Sequence, residues 1–319
     1  MENEVCRILG CQVPIIEGGL AYVGNGMLAG AISAAGAFGQ VGTAGRSIAQ
    51  VREQIEEAKK RADGRPFGIN LPLSEHRDMS EYVHLITEYA PVLRAISLSA
   101  GNPRPLIPHF QQLGLKVMVV VSTPEQAVKA EQAGADLLVA EGYEAGGHNG
   151  PAELTTFTLI PQVVRAVSIP VVAAGGIVNG TGIAAALLLG AKGVQLGTRF
   201  VATQECEAHE NYKRELLLRK SADTTIIERS MGRVTRVLKS PFVEQILEIE
   251  ATHPTWETLA PYVSGTKNKT AAILGQMDEG WVNCGQGVGM IEELPTAADL
   301  IEELVTQTKE HLARAQTLF

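Results

Sequence analysis

The chain is poor in cysteine, in aromatic residues and in positive charge. Its four cysteines, Cys6, Cys11, Cys206 and Cys284, form no CxxC and stand at no metal-ligand spacing with histidine. That excludes a disulfide scaffold, and no metal site is expected. Lys and Arg number 27 against 35 Asp and Glu, a formal net charge of −8 with the cations scattered, which argues against nucleic acid or an anionic membrane surface as the main partner. No run of about 18 apolar residues occurs. The longest candidate, TGIAAALLLGAKGVQLG at 181–197, is broken by Gly and Lys and reads as helix, turn and strand. The start shows no charged segment leading into an apolar one, so a reduced cytoplasm is the expected compartment. Neither GxxxxGK[ST] nor GxGxxG with a following acid in a strand–turn–helix setting is found, which argues against an NTP or a tightly held dinucleotide.

What is abundant is hydrophobic residues, 45% of 319, and glycine, 33 in all. The chain is therefore globular and buries a large core. Short runs rich in Val and Ile recur at 13–18, 38–42, 66–71, 93–99, 115–122, 136–141, 169–175 and 193–197, with helical patterns between them. Runs that are continuously apolar and alternate with helices mark a parallel sheet covered on its outer face. Eight such units predict an α/β fold, a TIM (β/α)8 barrel, because open doubly wound sheets more often stop at five to seven strands. The regularity breaks after GTRF at 197–200. The expected organisation is a barrel over 1–202, a mostly helical cap inserted after strand eight over 203–290, and a C-terminal helix over 291–319 that returns to the barrel.

Barrel enzymes build their sites on the loops after the strands, and the conspicuous motifs fall there. EGG (17–19) follows strand one, NLPLS (70–74) strand three, SAGNP (99–103) strand four, EGYEAGGHNG (141–150) strand six, AGGI (174–177) strand seven and GTRF (197–200) strand eight. The loops after strands seven and eight commonly cradle phosphate, which makes Gly175, Gly176, Gly197 and Thr198 the candidate phosphate site and a mononucleotide the expected cofactor. His148, set among Gly146, Gly147 and Gly150, has room for a substrate beside it and a proton to exchange near neutral pH. His76 reads as a solvated loop residue, and His84, His109, His209, His253 and His311 as surface or capping residues. A flavin-free phosphosugar barrel is the reading from another class. It would need a strand-end Lys or carboxylate base, and only Glu17 and Glu141 qualify.

Together IIEGGLAYVGNGMLAGAISAAGAFGQVG, PFGINL, AGNP, AEGYEAGGHNG, PVVAAGGIVNG and QLGTRFVATQEC resemble the FMN-dependent family of nitronate monooxygenases, formerly 2-nitropropane dioxygenases, and type II enoyl-acyl carrier protein reductases. The resemblance covers nearly the whole chain and is weakest around 205–280. It implies a barrel holding non-covalent FMN, with the phosphate on Gly175, Gly176, Gly197 and Thr198 and with His148 next to the flavin as the catalytic residue. It further implies Gly18 and Gly19 near the isoalloxazine, Asn70 as a flavin contact, Glu141 near the ribityl chain, Gly146 and Gly147 in the His148 loop, and Gly285 and Gln286 approaching from NCGQGVGMI (283–291). Tyr22 and Tyr143 are candidates for packing on the flavin or substrate, and Cys284 for lining the site.

Within the family, SAGNP resembles the enoyl reductases and the NAD(P)H-using quinone reductases, whereas the best-known nitronate monooxygenases carry an aromatic loop there. Strand five, VMVVVS, lacks the Lys of some quinone-reducing relatives. Enoyl reduction calls for a basic surface toward an acyl carrier protein, and only a local patch of Lys213, Arg214, Arg219 and Lys220 offers one. The reading adopted is nitronate oxidation through bound FMN by a cytoplasmic enzyme acting on a small molecule. NAD(P)H-dependent enoyl or quinone reduction stands as the alternative, and a homodimer is left open.

Overall fold

The structure is a computed structural model that describes residues 3–74 and 78–317. His76 lies outside the described residues. Eight parallel strands form the barrel: β1 (Ile15–Glu17), β2 (Gln40–Gly42), β3 (Gly68–Pro72), β4 (Ala95–Ser99), β5 (Lys116–Val121) and β6 (Leu137–Glu141), then β8 (Val171–Ala174) and β9 (Gly193–Leu196). Between β6 and β8 lies a two-residue strand, β7 (Gly147–His148). The sheet order β1-β9-β8-β6-β5-β4-β3-β2 is closed by a parallel bridge between Ile16 and Phe38, so the fold is the TIM barrel. Each barrel strand coincides with an apolar run of the sequence, β3 passing its end by one residue, because a strand covered on both faces has no solvated side to mark with polar residues.

Alternation along the strands sends one set of side chains inward. Ile16, Phe38, Ala95, Met118, Leu137, Val139, Val172 and Ala174 form an inner cluster with Val5 and Leu9. These two come from the helix Glu4–Leu9, capped by the Asn3 side chain on the N–H groups of Val5 and Cys6. Short helix and apolar partners thus fill the barrel interior from the N-terminal segment, leaving its opposite end to the loops. The outer face packs on helices whose ends are set locally: Ser47 and Gln50 make a capping box, Thr123 caps before Pro124, and the Asn179 side chain accepts from Gly182 N–H.

The last helix, Ala297–Ala315, packs on the helices Gly180–Leu188 and Gly26–Ala34, which precede β9 and follow β1, the paired last and first barrel strands. Leu300, Ile301 and Leu304 on it are buried in the main core. Leu304→Ala is expected to cost about 2–4 kcal/mol through transfer and cavity terms. A urea titration that left the midpoint unchanged would show this helix to be dispensable.

The segment 203–290, expected to be mostly helical, also carries strands. β10 (Thr224–Ile227) pairs antiparallel with β11 (Thr235–Leu238), and β11 pairs with β7, joining His148 to Thr235 and Gly147 to Arg236. A four-residue strand beside a turn has too short a period-2 pattern to stand out from neighbouring helical segments. Its own small core, with Ile227, Val237, Phe242, Val243 and Trp281, lies under the helices Pro241–Ala251 and Trp256–Val263.

Candidate active site

At the C-terminal ends of the barrel strands lies a cavity of about 1310 Å³. It brings together Gly18, Gly19, Asn70, Glu141, Gly146, Gly147, His148, Gly175, Gly176, Gly197, Thr198 and Gly285. Gln286 is not among its lining residues. Its backbone N–H donates to Glu144 O at 2.9 Å, which pins the segment while the next turn, Gln286–Met290, carries the chain away.

Two inward positions at the strand tops, Asn70 and Gln195, are polar where those below them are apolar. Asn70 on β3 is buried and donates through Nδ2 to Ser97 Oγ at 2.8 Å, its register partner on β4. A Cβ on Gly19 would overlap Asn70 Oδ1, so the absence of a side chain there is what lets Asn70 take this position. Gln195 on β9, also at the cavity, is buried and its Oε1 has no partner among the described residues. The sequence reading quoted Gln195 without assigning it a role. Counting inward positions by twos from Val172 and Gly193 on the adjoining strands would have found it.

Gly175 has φ +99, and a Cβ on it would stand 2.5 Å from Gly142 O. At the turn after β8 the single Thr156 hydroxyl proton is shared between Gly175 O, 2.8 Å away, and the Glu144 carboxylate. Glu144 Oε2 holds that same Thr156 at its N–H and its hydroxyl, 2.7 and 2.9 Å away. On the other side, Thr198 Oγ1 accepts from Gly285 N–H at 2.9 Å. The return segment 283–287 is thus tied to the loop after β9 at Thr198 and to the loop after β6 at Glu144.

The Glu141 carboxyl faces the cavity, and burial pushes it up to about 7. In the unfolded chain it ionises near the ordinary 4.5, so between about pH 4.5 and 7 the folded state holds the extra proton. Stability therefore falls as pH rises through that window and levels off above it, by at most on the order of 3 kcal/mol. Glu141→Gln should flatten this slope, read as thermal midpoints of ligand-free protein at about pH 5 and pH 8. Glu17, the other strand-end carboxyl, is fully buried, and its Oε2 accepts from Gln40 N–H at 2.9 Å. Desolvation holds it well above the usual carboxylate range. It does not line the cavity, which removes it as a base.

His148 lines the cavity with a side chain 69% exposed, and its Nε2 stands 3.9 Å from Glu228 Oε2. Glu228, in the segment where the resemblance was weakest, was missed by the sequence reading. Arg104, Lys129 and Arg233 add positive charge along the lining. The remaining aromatic and thiol candidates are not part of the cavity lining. Tyr143 lies under the Arg236 guanidinium, 4.5 Å from its ring centre, and Tyr22 packs over Gly45. Cys284 is fully buried, and desolvation raises its thiol. His209 caps the helix Glu210–Leu218, as its sequence position implied. Lys213, offered for a carrier protein, is buried with Nζ near Gln204 O, and Arg219 is paired with Glu215, so the basic patch is much reduced.

This arrangement matches known proteins. The profile of the nitronate monooxygenase family matches residues 3–307. The chain belongs to that family. It is 34% identical to the nitronate monooxygenase of Pseudomonas aeruginosa, over 97% of this chain and 100% of the relative. It is 29% identical, over 96% and 95%, to a Rhodococcus jostii dehydrogenase named for a hydroxy-methyl-oxo-octahydroindene carboxyl-CoA. Among solved structures, FabK from Thermotoga maritima superposes with a TM-score of 0.94 at 35% identity, covering 100% of both chains. The nitroalkane oxidase of Streptomyces ansochromogenes superposes at 0.85 with 28% identity over 98% and 99%. This member of the nitronate monooxygenase family is an oxidoreductase, and its family acts on small-molecule substrates. Among the described residues no helix is long and apolar enough to cross a membrane.

Proposed function

We propose that this enzyme holds FMN in the cavity and oxidises alkyl nitronates with O2. The observation that carries the reading is the pairing of a glycine-lined cavity of about 1310 Å³ with a single lining histidine among the described residues, His148. The residues fit the cofactor. Gly175, Gly176, Gly197 and Thr198 come from two adjacent strand ends and offer the close backbone approach that a phosphate needs. Gly18, Gly19, Gly146, Gly147, Asn70, Glu141 and Gly285 surround the remaining volume, and the unpartnered Gln195 Oε1 offers an acceptor to a ring N–H. Bound FMN would supply the electron transfer, chemistry that no side chain here provides.

The chain's own contribution is to bind, orient and move a proton. His148 presents its imidazole to the cavity from β7, a strand fixed at both residues to β11. Near neutral pH an imidazole either attracts an anionic nitronate or exchanges its proton. Glu141, at the top of β6 and raised to about 7 by burial, is half ionised near pH 7 and adds little negative charge only well below it.

A second reading, NAD(P)H-dependent enoyl reduction, is favoured by one observation. Arg104, Lys129 and Arg233 put three cations along the cavity lining, where an anionic arm of a nicotinamide or thioester substrate would meet them. The likeness to FabK is in keeping with it. Carrier-protein docking has less support, given the buried Lys213. The deciding experiment mixes the yellow protein anaerobically with NADH, NADPH and a propyl nitronate in separate stopped-flow shots. Bleaching of the flavin by the nitronate alone supports nitronate oxidation. Rapid bleaching by a nicotinamide replaces it with the reductase reading, to be followed with enoyl thioesters and quinones. A colourless preparation that takes up no added FMN would overturn both.

A further inference from the structure

We infer that Glu228 is a positioning residue for His148, orienting the imidazole from the inserted segment with Nε2–H toward the carboxylate and Nδ1 as the proton acceptor. The inference rests on the reading of His148 as the proton-handling group.

The geometry is built around one register pair. Thr235 of β11 stands opposite His148 of β7. Glu228 precedes β11 by a tight turn and brings its Oε2 to both: 2.5 Å from the Thr235 hydroxyl, which donates to it, and 3.9 Å from His148 Nε2. The second distance is beyond a direct hydrogen bond, so the role inferred for Glu228 requires the imidazole, 69% exposed, to turn toward it. Glu228 itself is 3% exposed, so the carboxylate end of the pair is shielded and fixed while the imidazole stays open to the cavity.

Its placement is costly, which indicates that it is held for a purpose. Glu228 has φ +70, the left-handed region that a residue with a side chain seldom adopts. The surroundings enforce it. Glu228 N–H donates to Glu250 Oε2 at 2.9 Å, and the Glu228 carbonyl accepts from Met231 and Arg233 N–H at 3.0 and 3.1 Å. Glu250 Oε1 in turn accepts from Ser230 N–H and Oγ. The charged groups around the carboxylate divide its oxygens. Arg233 approaches Oε1 at 3.5 Å while stacking on Trp256, leaving Oε2 to Thr235 and His148.

A neutral imidazole carries one N–H and one lone pair, and the partner of one nitrogen decides which is which. With Nε2–H facing Glu228, Nδ1 is the nitrogen that exchanges a proton with the substrate site, taking it from a substrate that arrives in its protonated form or, for the nitronate anion, from cavity water. The imidazolium so formed faces the carboxylate, and the proton leaves by the same nitrogen. Glutamine at 228 keeps the shape and removes the charge.

The test uses the FMN-loaded full chain labelled with 15N-histidine, the His148 signals being assigned by their loss in His148→Ala. In the wild type the ring should sit predominantly as the Nε2–H form, and Glu228→Gln should move it toward a mixture. With the nitronate or nicotinamide substrate that reduces the wild type, Glu228→Gln should lower kcat about 10-fold to 100-fold with KM little changed, part of the 10²–10⁴-fold that acid–base catalysis supplies. In the His148→Ala background the same change should alter the rate less than about twofold. Thr235→Val, near-isosteric, should move tautomer and kcat in the same direction by less, and it decides the matter if Glu228→Gln does not fold. An unchanged tautomer, or additive losses in the double variant, would overturn the role of Glu228 while leaving His148 catalytic. If His148→Ala itself leaves turnover intact, it is the reading of His148 that fails.

Discussion

Replacing His148 by alanine is expected to lower turnover by about 10²- to 10⁴-fold, the range a positioned acid–base group contributes, with FMN content and thermal midpoint unchanged. The fold tolerates the change because the segment is held by backbone, not by the imidazole. β7 pairs through the register His148–Thr235 and Gly147–Arg236, and Asn149 N–H donates to Val234 O at 2.7 Å. A side chain 69% exposed toward the cavity adds little buried area. Steady-state kinetics separate the two roles of the residue. A fall in kcat and kcat/KM together marks proton handling, whereas a rise in KM at constant kcat means that His148 only holds an anionic substrate. Turnover within about threefold of wild type would remove His148 from the chemistry.

Gly175→Ala is expected to give a protein that no longer retains FMN through gel filtration and is destabilised by on the order of 3–4 kcal/mol. Two costs add. A side chain at φ +99 is strained by roughly 1–3 kcal/mol. Its Cβ would also sit 2.5 Å from Gly142 O, where overpacking costs about 1–3 kcal/mol more. Neither neighbour is free to give, since Gly142 N–H donates to Ala174 O and the Thr156 hydroxyl is held between Glu144 and Gly175. The strain therefore falls on the turn that carries Gly175 and Gly176 into the cavity. Visible absorbance per protein after desalting, together with urea unfolding, measures both effects. Full FMN retention would take the phosphate away from this turn.

The barrel was legible because its signal is redundant. Eight apolar runs at regular spacing each mark a strand, and an error of a residue or two at an end changes nothing in the topology. The glycine loops and His148 were legible for a related reason, that strand ends in this fold converge on one face whatever the loop lengths. Glu228 was illegible. It lies 80 residues after His148 in the chain, on a turn before a four-residue strand, and nothing local distinguishes it from Glu244 or Glu250. Gln286, a motif neighbour of Gly285, is held through its backbone bond to Glu144 and is not among the lining residues.

By itself, then, the order of apolar runs and glycine-rich turns determined a parallel barrel and the face on which its strand-end loops gather, while the family was carried by the resemblance of its motifs. Barrel and face follow from local periodicity and from a topology that converts chain order into position. Only the tertiary structure decided which carboxylates meet the site. Glu17 and Glu141 both end strands, yet one is buried away from the cavity and the other faces it. Glu228 reaches His148 through the pairing of β11 with β7. The reason is that burial and charge–charge distance depend on which distant segments pack together, and no spacing along the chain records that.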